Sequence, residues 1–195
     1  IKPSKGQLEF SLLSNNSVTE KLIKEMKLCK AGKLSARKYE EMCHKLLKNV
    51  FSNDLTLWKE QQRSNSALYK FDLICRIKED NKKTFWSIVE RFFNSKYIIF
   101  EFKNYKEQVT PKEIYTTEKY LYVKALRSVA IMIATNGYIE NAKWAAKGIF
   151  RESGKLILLL DTNDLIAMNE LKVAGGDPSA CLLDKLDELL LELEK

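Results

Sequence analysis

The chain has 195 residues, 45% of them hydrophobic and 30% charged, with a formal net charge of +7. That length and balance suit one domain with a sizeable core, or one domain plus an arm. They exclude a low-complexity chain, and no apolar run approaches the ~18–20 residues of a membrane span. The charge is uneven: residues 177–195 hold six acidic and two basic side chains, net −4, which leaves +11 on the rest. A basic body fits a polyanionic partner.

The chain begins at Ile1 rather than Met and shows no signal peptide, so it reads as a piece of a longer, cytoplasmic protein. Cys29, Cys43, Cys75 and Cys181 are far apart and form no CxxC pair, and His44 is the single histidine. That pattern argues against a zinc site or a disulfide framework and for reduced thiols.

In chain order, Ser17-Val18-Thr19-Glu20 reads as a capping box opening a helix to about Lys30. Its lysines at 21, 24, 27 and 30 make a drifting basic ridge. Residues 35–51 read as a second helix capped by Ser35, with Tyr39, Met42, Cys43, Leu46, Leu47 and Val50 on the buried face. A short strand near 55–59 follows. Residues 68–77 alternate, Phe71, Leu73, Cys75 and Ile77 on one side and Lys70, Asp72, Ile74 and Arg76 on the other. A helix over 84–93 leads to a strand over 97–104. Thr110-Pro111-Lys112-Glu113 opens a helix expected to reach Leu126. A buried strand over 128–134, a helix over 138–153 closed by Gly154, and a buried strand over 155–160 come next. Helices over 163–173 and 179–194 finish the chain. The pattern predicts an α/β fold with helices before the sheet begins. Trp58, Trp86 and Trp144 are expected in the core or at its edge, with base stacking the minor option. His44, one turn after Glu40 on the same flank, is expected on the surface, with contact to the site as the alternative. Leu182, Leu186, Leu189 and Leu193 are expected to pack on the body rather than dimerise.

No Walker motif, GxGxxG or GxSxG is present. The chemistry-bearing feature is in the strand "YIIFEFK", residues 97–103. Ile99, Glu101 and Lys103 share one face of it, and Ile98, Phe100 and Phe102 the other. A carboxylate and an ammonium near the end of a buried strand are costly to desolvate unless something uses them. A hard cation explains the carboxylate, since Mg²⁺ takes one or two carboxylates plus phosphate and water oxygens. A lysine beside it can neutralise a phosphoryl oxygen or orient an attacking water. Asp is a poor strand former, so Asp72 on the preceding strand also needs a reason. The competing explanation is a pair of salt bridges at a strand edge, Glu101 with Lys103 or Asp72 with Arg76.

Asp72 together with Glu101-Phe102-Lys103 resembles the PD-(D/E)XK, or restriction-endonuclease-like, nucleases. The flanking residues are similar to the Mrr-like restriction endonuclease branch, in which a helix with an aromatic-Glu pair and a later Leu-Leu precedes the Asp strand. Here these are Tyr39-Glu40 and Leu46-Leu47. The resemblance covers roughly residues 35–160. It implies a restriction-endonuclease-like mixed central sheet flanked by helices, DNA as substrate, and Mg²⁺, or Mn²⁺ in its place, as cofactor. Asp72 and Glu101 would hold the metal, Lys103 would assist the water, and Glu40 would complete the catalytic and metal set. Two features depart from the family pattern. The insert between Asp72 and Glu101 holds a whole helix. Of the Gln-x-x-x-Tyr on the following helix, Tyr120 is present but Thr116 stands at the Gln position.

The sequence therefore predicts an N-terminal arm and helix (1–34), a nuclease core (35–175) and an acidic Leu-rich C-terminal helix (176–195). The expected function is a metal-dependent DNA endonuclease, the effector part of a bacterial restriction or phage-defence protein, with DNA, a second copy or other domains of a longer chain as partners and no membrane. The alternative is a nucleic-acid-binding or scaffold domain of the same fold without turnover. On a helical wheel with Tyr39 at 0°, Glu40 falls at about 100°, on the border of the buried stripe, and Glu41 at about 200°, on the far side.

Overall fold

The computed structural model describes residues 17–63, 70–79 and 84–193. Helix α1 spans 17–27, with Ser17 already helical, and stops short of Lys30. Helix α2 (Ala36–Phe51) buries the six residues expected of it, and Phe51 as well. Ser35 stands at its N-cap without a side-chain cap bond. Strands β1 (Leu55–Arg63) and β2 (Lys70–Ile77) come next, and a segment holding α3 (Thr84–Arg91) leads from β2 to β3 (Tyr97–Lys103). Helix α4 (Pro111–Glu118), strand β4 (Val129–Ala134), helix α5 (Glu140–Ser153) and strand β5 (Leu156–Asp161) follow, then α6 (Thr162–Val173) and α7 (Ser179–Leu191). Residues 68, 69 and 194, and the arm over 1–16, lie outside the described residues.

The sheet order is β1-β2-β3-β4-β5. The first three strands form an antiparallel meander, and β3, β4 and β5 run parallel. The run of apolar residues in β4 fits this arrangement, because a parallel strand covered on both faces needs no polar side. On one face Ile98, Phe100, Val129, Ile131, Leu156 and Leu158 pack with residues of α1, α2, α3, α6 and α7. On the other, Ile99, Ala130, Met132 and Ile157 pack under α4 and α5. The fold is thus a mixed five-stranded sheet between helical layers. The C-terminal helix belongs to the body, with Leu182 and Leu186 fully buried. All four cysteines are free thiols, two of them buried. Among the described residues no helix is long and apolar enough to cross a membrane.

Other expectations are corrected as well. Helix α4 ends at Glu118 rather than near Leu126. The chain turns there because Tyr122 and Arg127 exchange backbone bonds and Arg127 Nε donates to the Tyr120 carbonyl, 2.9 Å. A short 3₁₀ turn (Val123–Ala125) and left-handed Leu126 complete the reversal. Trp144 is 61% exposed, because α5 buries Ala142, Ala145, Ala146 and Ile149 on the opposite side. His44 is half-buried rather than a lone surface residue, which favours the alternative of a contact with the site: its Nδ1 lies 2.5 Å from Glu60 Oε1, and its ring lies 5.8 Å from that of Trp58. Trp86 is fully buried and Trp58 half-buried, as expected.

Candidate active site

The site begins where β2 and β3 part. Their register runs from Arg76↔Tyr97 to Leu73↔Phe100, while β3 continues beside β4 as far as Lys103↔Ala134. Beyond Leu73 the ladder bond is replaced by a side chain, with Phe102 N–H donating to Asp72 Oδ2 at 2.8 Å. In return, Asp72 N–H donates to Glu101 Oε1 at 3.4 Å. Each carboxylate therefore accepts a backbone proton from the other strand, which fixes both side chains at the fork. Phe71, next to Asp72, packs on the α4/α5 side, whereas Leu73 packs on the α2 side. A regular strand would put them on one face, so β2 rotates about its own axis at Asp72. On β1 the residue between the partners of Phe71 and Leu73 is Gln61, which has φ +46°. A left-handed glutamine of this kind stores local strain, of order 1–3 kcal/mol.

Glu101 is only 2% exposed, and its other oxygen, Oε2, accepts from Lys103 Nζ at 2.7 Å. Burial pushes the Glu101 carboxyl up to about 7. Lys103 opposes that rise and the neighbouring Asp72 adds to it. For Lys103, burial alone would lower the ammonium, but the Glu101 and Asp72 carboxylates outweigh it and hold the pKa above its ordinary value. Tyr120 is half-buried, its ring edge-on to Phe71 at 6.1 Å. Its phenol is raised by burial first, then by Glu101 and Asp72, with Lys103 opposing. The tyrosine after α4 is thus within electrostatic reach of all three site residues.

A cleft of about 440 Å³ opens beside the fork, lined by Arg37, Glu40, Glu41, His44, Glu60, Gln61, Asp72, Leu73 and Phe102. Glu40 and Asp72 face the same cleft, whereas Glu101 and Lys103 do not line it. Among the described residues no group of three or more His, Cys, Asp or Glu side chains is arranged to hold a metal ion. Asp72 and Glu101 are brought together, and Glu40 lines the cleft with Asp72 without making a third member of a compact cluster. Glu41 corrects the helical-wheel expectation. It pairs with Arg37 at 3.1 Å and lines the cleft rim, because the open cleft reaches round the outer edge of α2.

Glu60 and Gln61 were not singled out from the sequence. The signal available was the polar tail of β1, "KEQQR", which a strand buried on one face would not carry. A second cleft of about 370 Å³ lies between α5, β5 and α7. Its lysines are already ion-paired, Lys143 with Glu140, Lys147 with Glu192 and Lys185 with Asp164, so it offers no comparable chemistry. Comparison with protein-family models, curated proteins and solved structures gives no match.

Proposed function

We propose that this protein is a metal-dependent endonuclease that hydrolyses DNA phosphodiester bonds, of the restriction-endonuclease-like kind that Asp72 and Glu101-Phe102-Lys103 resemble. The observation that carries the reading is the fork. Two carboxylates from adjacent strands are fixed by reciprocal backbone bonds, with a lysine 2.7 Å from one of them. The mixed sheet flanked by helices is the architecture the resemblance implies.

The donor set fits a hard divalent cation. It is all oxygen, it holds the one or two carboxylates Mg²⁺ takes, and it adjoins an open cleft with room for substrate and water. Asp72 and Glu101 would hold the ion, with Glu40 facing it from α2. When bound, such an ion lowers the pKa of a coordinated water and polarises a phosphoryl oxygen. The chain's own groups do the rest. The backbone N–H groups of Asp72 and Phe102 keep the two carboxylates oriented. Lys103 would supply an ammonium to a phosphoryl oxygen that gains charge, and as a desolvated point charge it would act more strongly than in water. The basic body, +11 outside the C-terminal segment, favours approach of a polyanion.

One observation favours a second reading. The bond from Phe102 N–H gives Asp72 a structural task at the end of a ladder, and the Glu101–Lys103 pair is self-sufficient. A nucleic-acid-binding or scaffold domain without turnover would keep both. Incubation with supercoiled plasmid separates the two readings. Nicking or linearisation that needs Mg²⁺, stops with chelator and is lost in Asp72→Asn supports the nuclease. Plasmid left intact at all Mg²⁺ concentrations, with binding retained, supports the second reading.

A further inference from the structure

The lysine of the fork has a place in the geometry that its role in hydrolysis does not explain. Glu101 Oε2 is the carboxylate oxygen not engaged by the Asp72 backbone, and Lys103 Nζ sits 2.7 Å from it. Glu101 is almost wholly buried, and the Lys103 side chain is 16% exposed. Water therefore does little to weaken their attraction. The same oxygen is the natural ligand atom of Glu101 for a cation shared with Asp72. An ammonium and a dication repel each other at such a distance, so they cannot both hold it closely.

We propose that Lys103 is a built-in counter-cation that competes with the divalent ion for Glu101, so that metal binds weakly until a phosphate group of the nucleic acid draws the ammonium away. This rests on the nuclease reading and deepens it. The phosphate is the one substrate group that can take over a lysine, because it offers anionic acceptor oxygens at hydrogen-bond distance. Metal and nucleic acid then bind cooperatively. Each phosphate that captures Lys103 frees Glu101 for the cation, and each cation on Glu101 frees Lys103 for a phosphate. Such coupling is reciprocal by thermodynamic necessity. The arrangement holds the reactive combination back until substrate is in place. It needs no moving lid, only a change of partner by one flexible side chain.

The test reads Mn²⁺ binding directly, from the loss of the free aqua-ion signal in electron paramagnetic resonance, at pH 8.0 and without nucleic acid. Lys103→Met and Lys103→Gln are compared with wild type, and Gln keeps a polar donor in case Met disturbs folding. Both variants are expected to bind Mn²⁺ at least ten-fold more tightly. Glu101→Gln is expected to lose binding, and Lys103→Met/Glu101→Gln to show no gain over Glu101→Gln alone. Adding a duplex oligonucleotide should tighten Mn²⁺ binding to wild type and leave the two Lys103 variants nearly unchanged. If wild type binds Mn²⁺ through Asp72 and Glu101 but neither Lys103 variant binds it more tightly, the competition is refuted and the nuclease reading stands. If no variant binds Mn²⁺, or Asp72→Asn and Glu101→Gln bind it as wild type does, both fall together.

Discussion

Glu101 links the site to the stability of the whole fold, and the substitution Glu101→Gln measures the link. Its carboxyl is raised from an ordinary 4.5 to about 7, chiefly by burial. Below pH 4.5 both folded and unfolded chains carry the proton, and the shift has no effect. Between 4.5 and 7 the unfolded chain has released the proton while the folded chain still holds it, so stability falls as pH rises. Above about pH 8 both states are ionised and the loss is complete. At about 1.4 kcal/mol for each pH unit of that window, the loss comes to about 3 kcal/mol, an order-of-magnitude figure for a buried, paired group. The raised Lys103 acts in another range: its contribution is fully present below its ordinary 10.5 and is lost only at still higher pH. Urea unfolding at pH 4.5, 6 and 8 gives the free energy of wild type and of Glu101→Gln at each pH. Gln lacks the titrating group, so the difference between the two proteins should drift by about 3 kcal/mol toward the variant as pH rises. The attraction of Lys103 acts only on the ionised carboxylate and is already contained in the raised value. Exchanging the protonated carboxyl for an amide adds an offset that is the same at all three pH values, so only the drift is read. Parallel curves for the two proteins would refute the reasoning, since the buried carboxyl would then titrate as an exposed one does.

Three further outcomes are expected. Lys103→Ala should abolish cleavage and leave DNA binding nearly intact, because one lysine is a small part of the phosphate contacts; Lys103→Arg should fail too, since a planar fork does not replace a compact charge, and filter binding beside plasmid cleavage checks both. Glu40→Gln should slow metal-dependent cleavage at least ten-fold, while Glu41→Gln, which loses an exposed pair with Arg37, should change it less than two-fold; equal losses would mean that Glu40 has no special place in the cleft. Mg²⁺ at about 100 times its dissociation constant should stabilise wild type by about 2.7 kcal/mol and leave Asp72→Asn unmoved, as read by thermal unfolding in a Mg²⁺ titration.

Much of the sheet was legible because its strands carry simple patterns. Residues 129–134 and 156–160 are continuous apolar runs, and both are inner or covered parallel strands. The alternation of 73–77 matches its burial residue for residue, whereas Phe71, expected on the side of Leu73, packs on the opposite one. Glu101 and Lys103 stood out because charges are costly within such runs, and the fork uses both. The rest depended on distance in space. No local pattern shows that Asp72 replaces a ladder bond to Phe102, because that bond joins residues 30 apart. Helix α4 is an exception: its stop at Glu118 comes from the local Tyr122–Arg127 turn, which no Gly or Pro in that stretch announces. His44 meets Glu60 only because β1 folds back past α2. The exposure of Trp144 is a different case. With Ala142 at 0°, the buried residues of α5 centre near that angle and Trp144 lies at about 200°, so the helical wheel had the answer and the usual preference of tryptophan for the core misled.

The most direct measurement of the central claim is anomalous X-ray scattering from crystals grown with Mn²⁺ and a short DNA duplex. The account predicts a manganese peak bonded to carboxylate oxygens of both Asp72 and Glu101, with Lys103 Nζ turned to a phosphate oxygen. Manganese bound elsewhere, with the Glu101–Lys103 pair still closed over the fork, would contradict it.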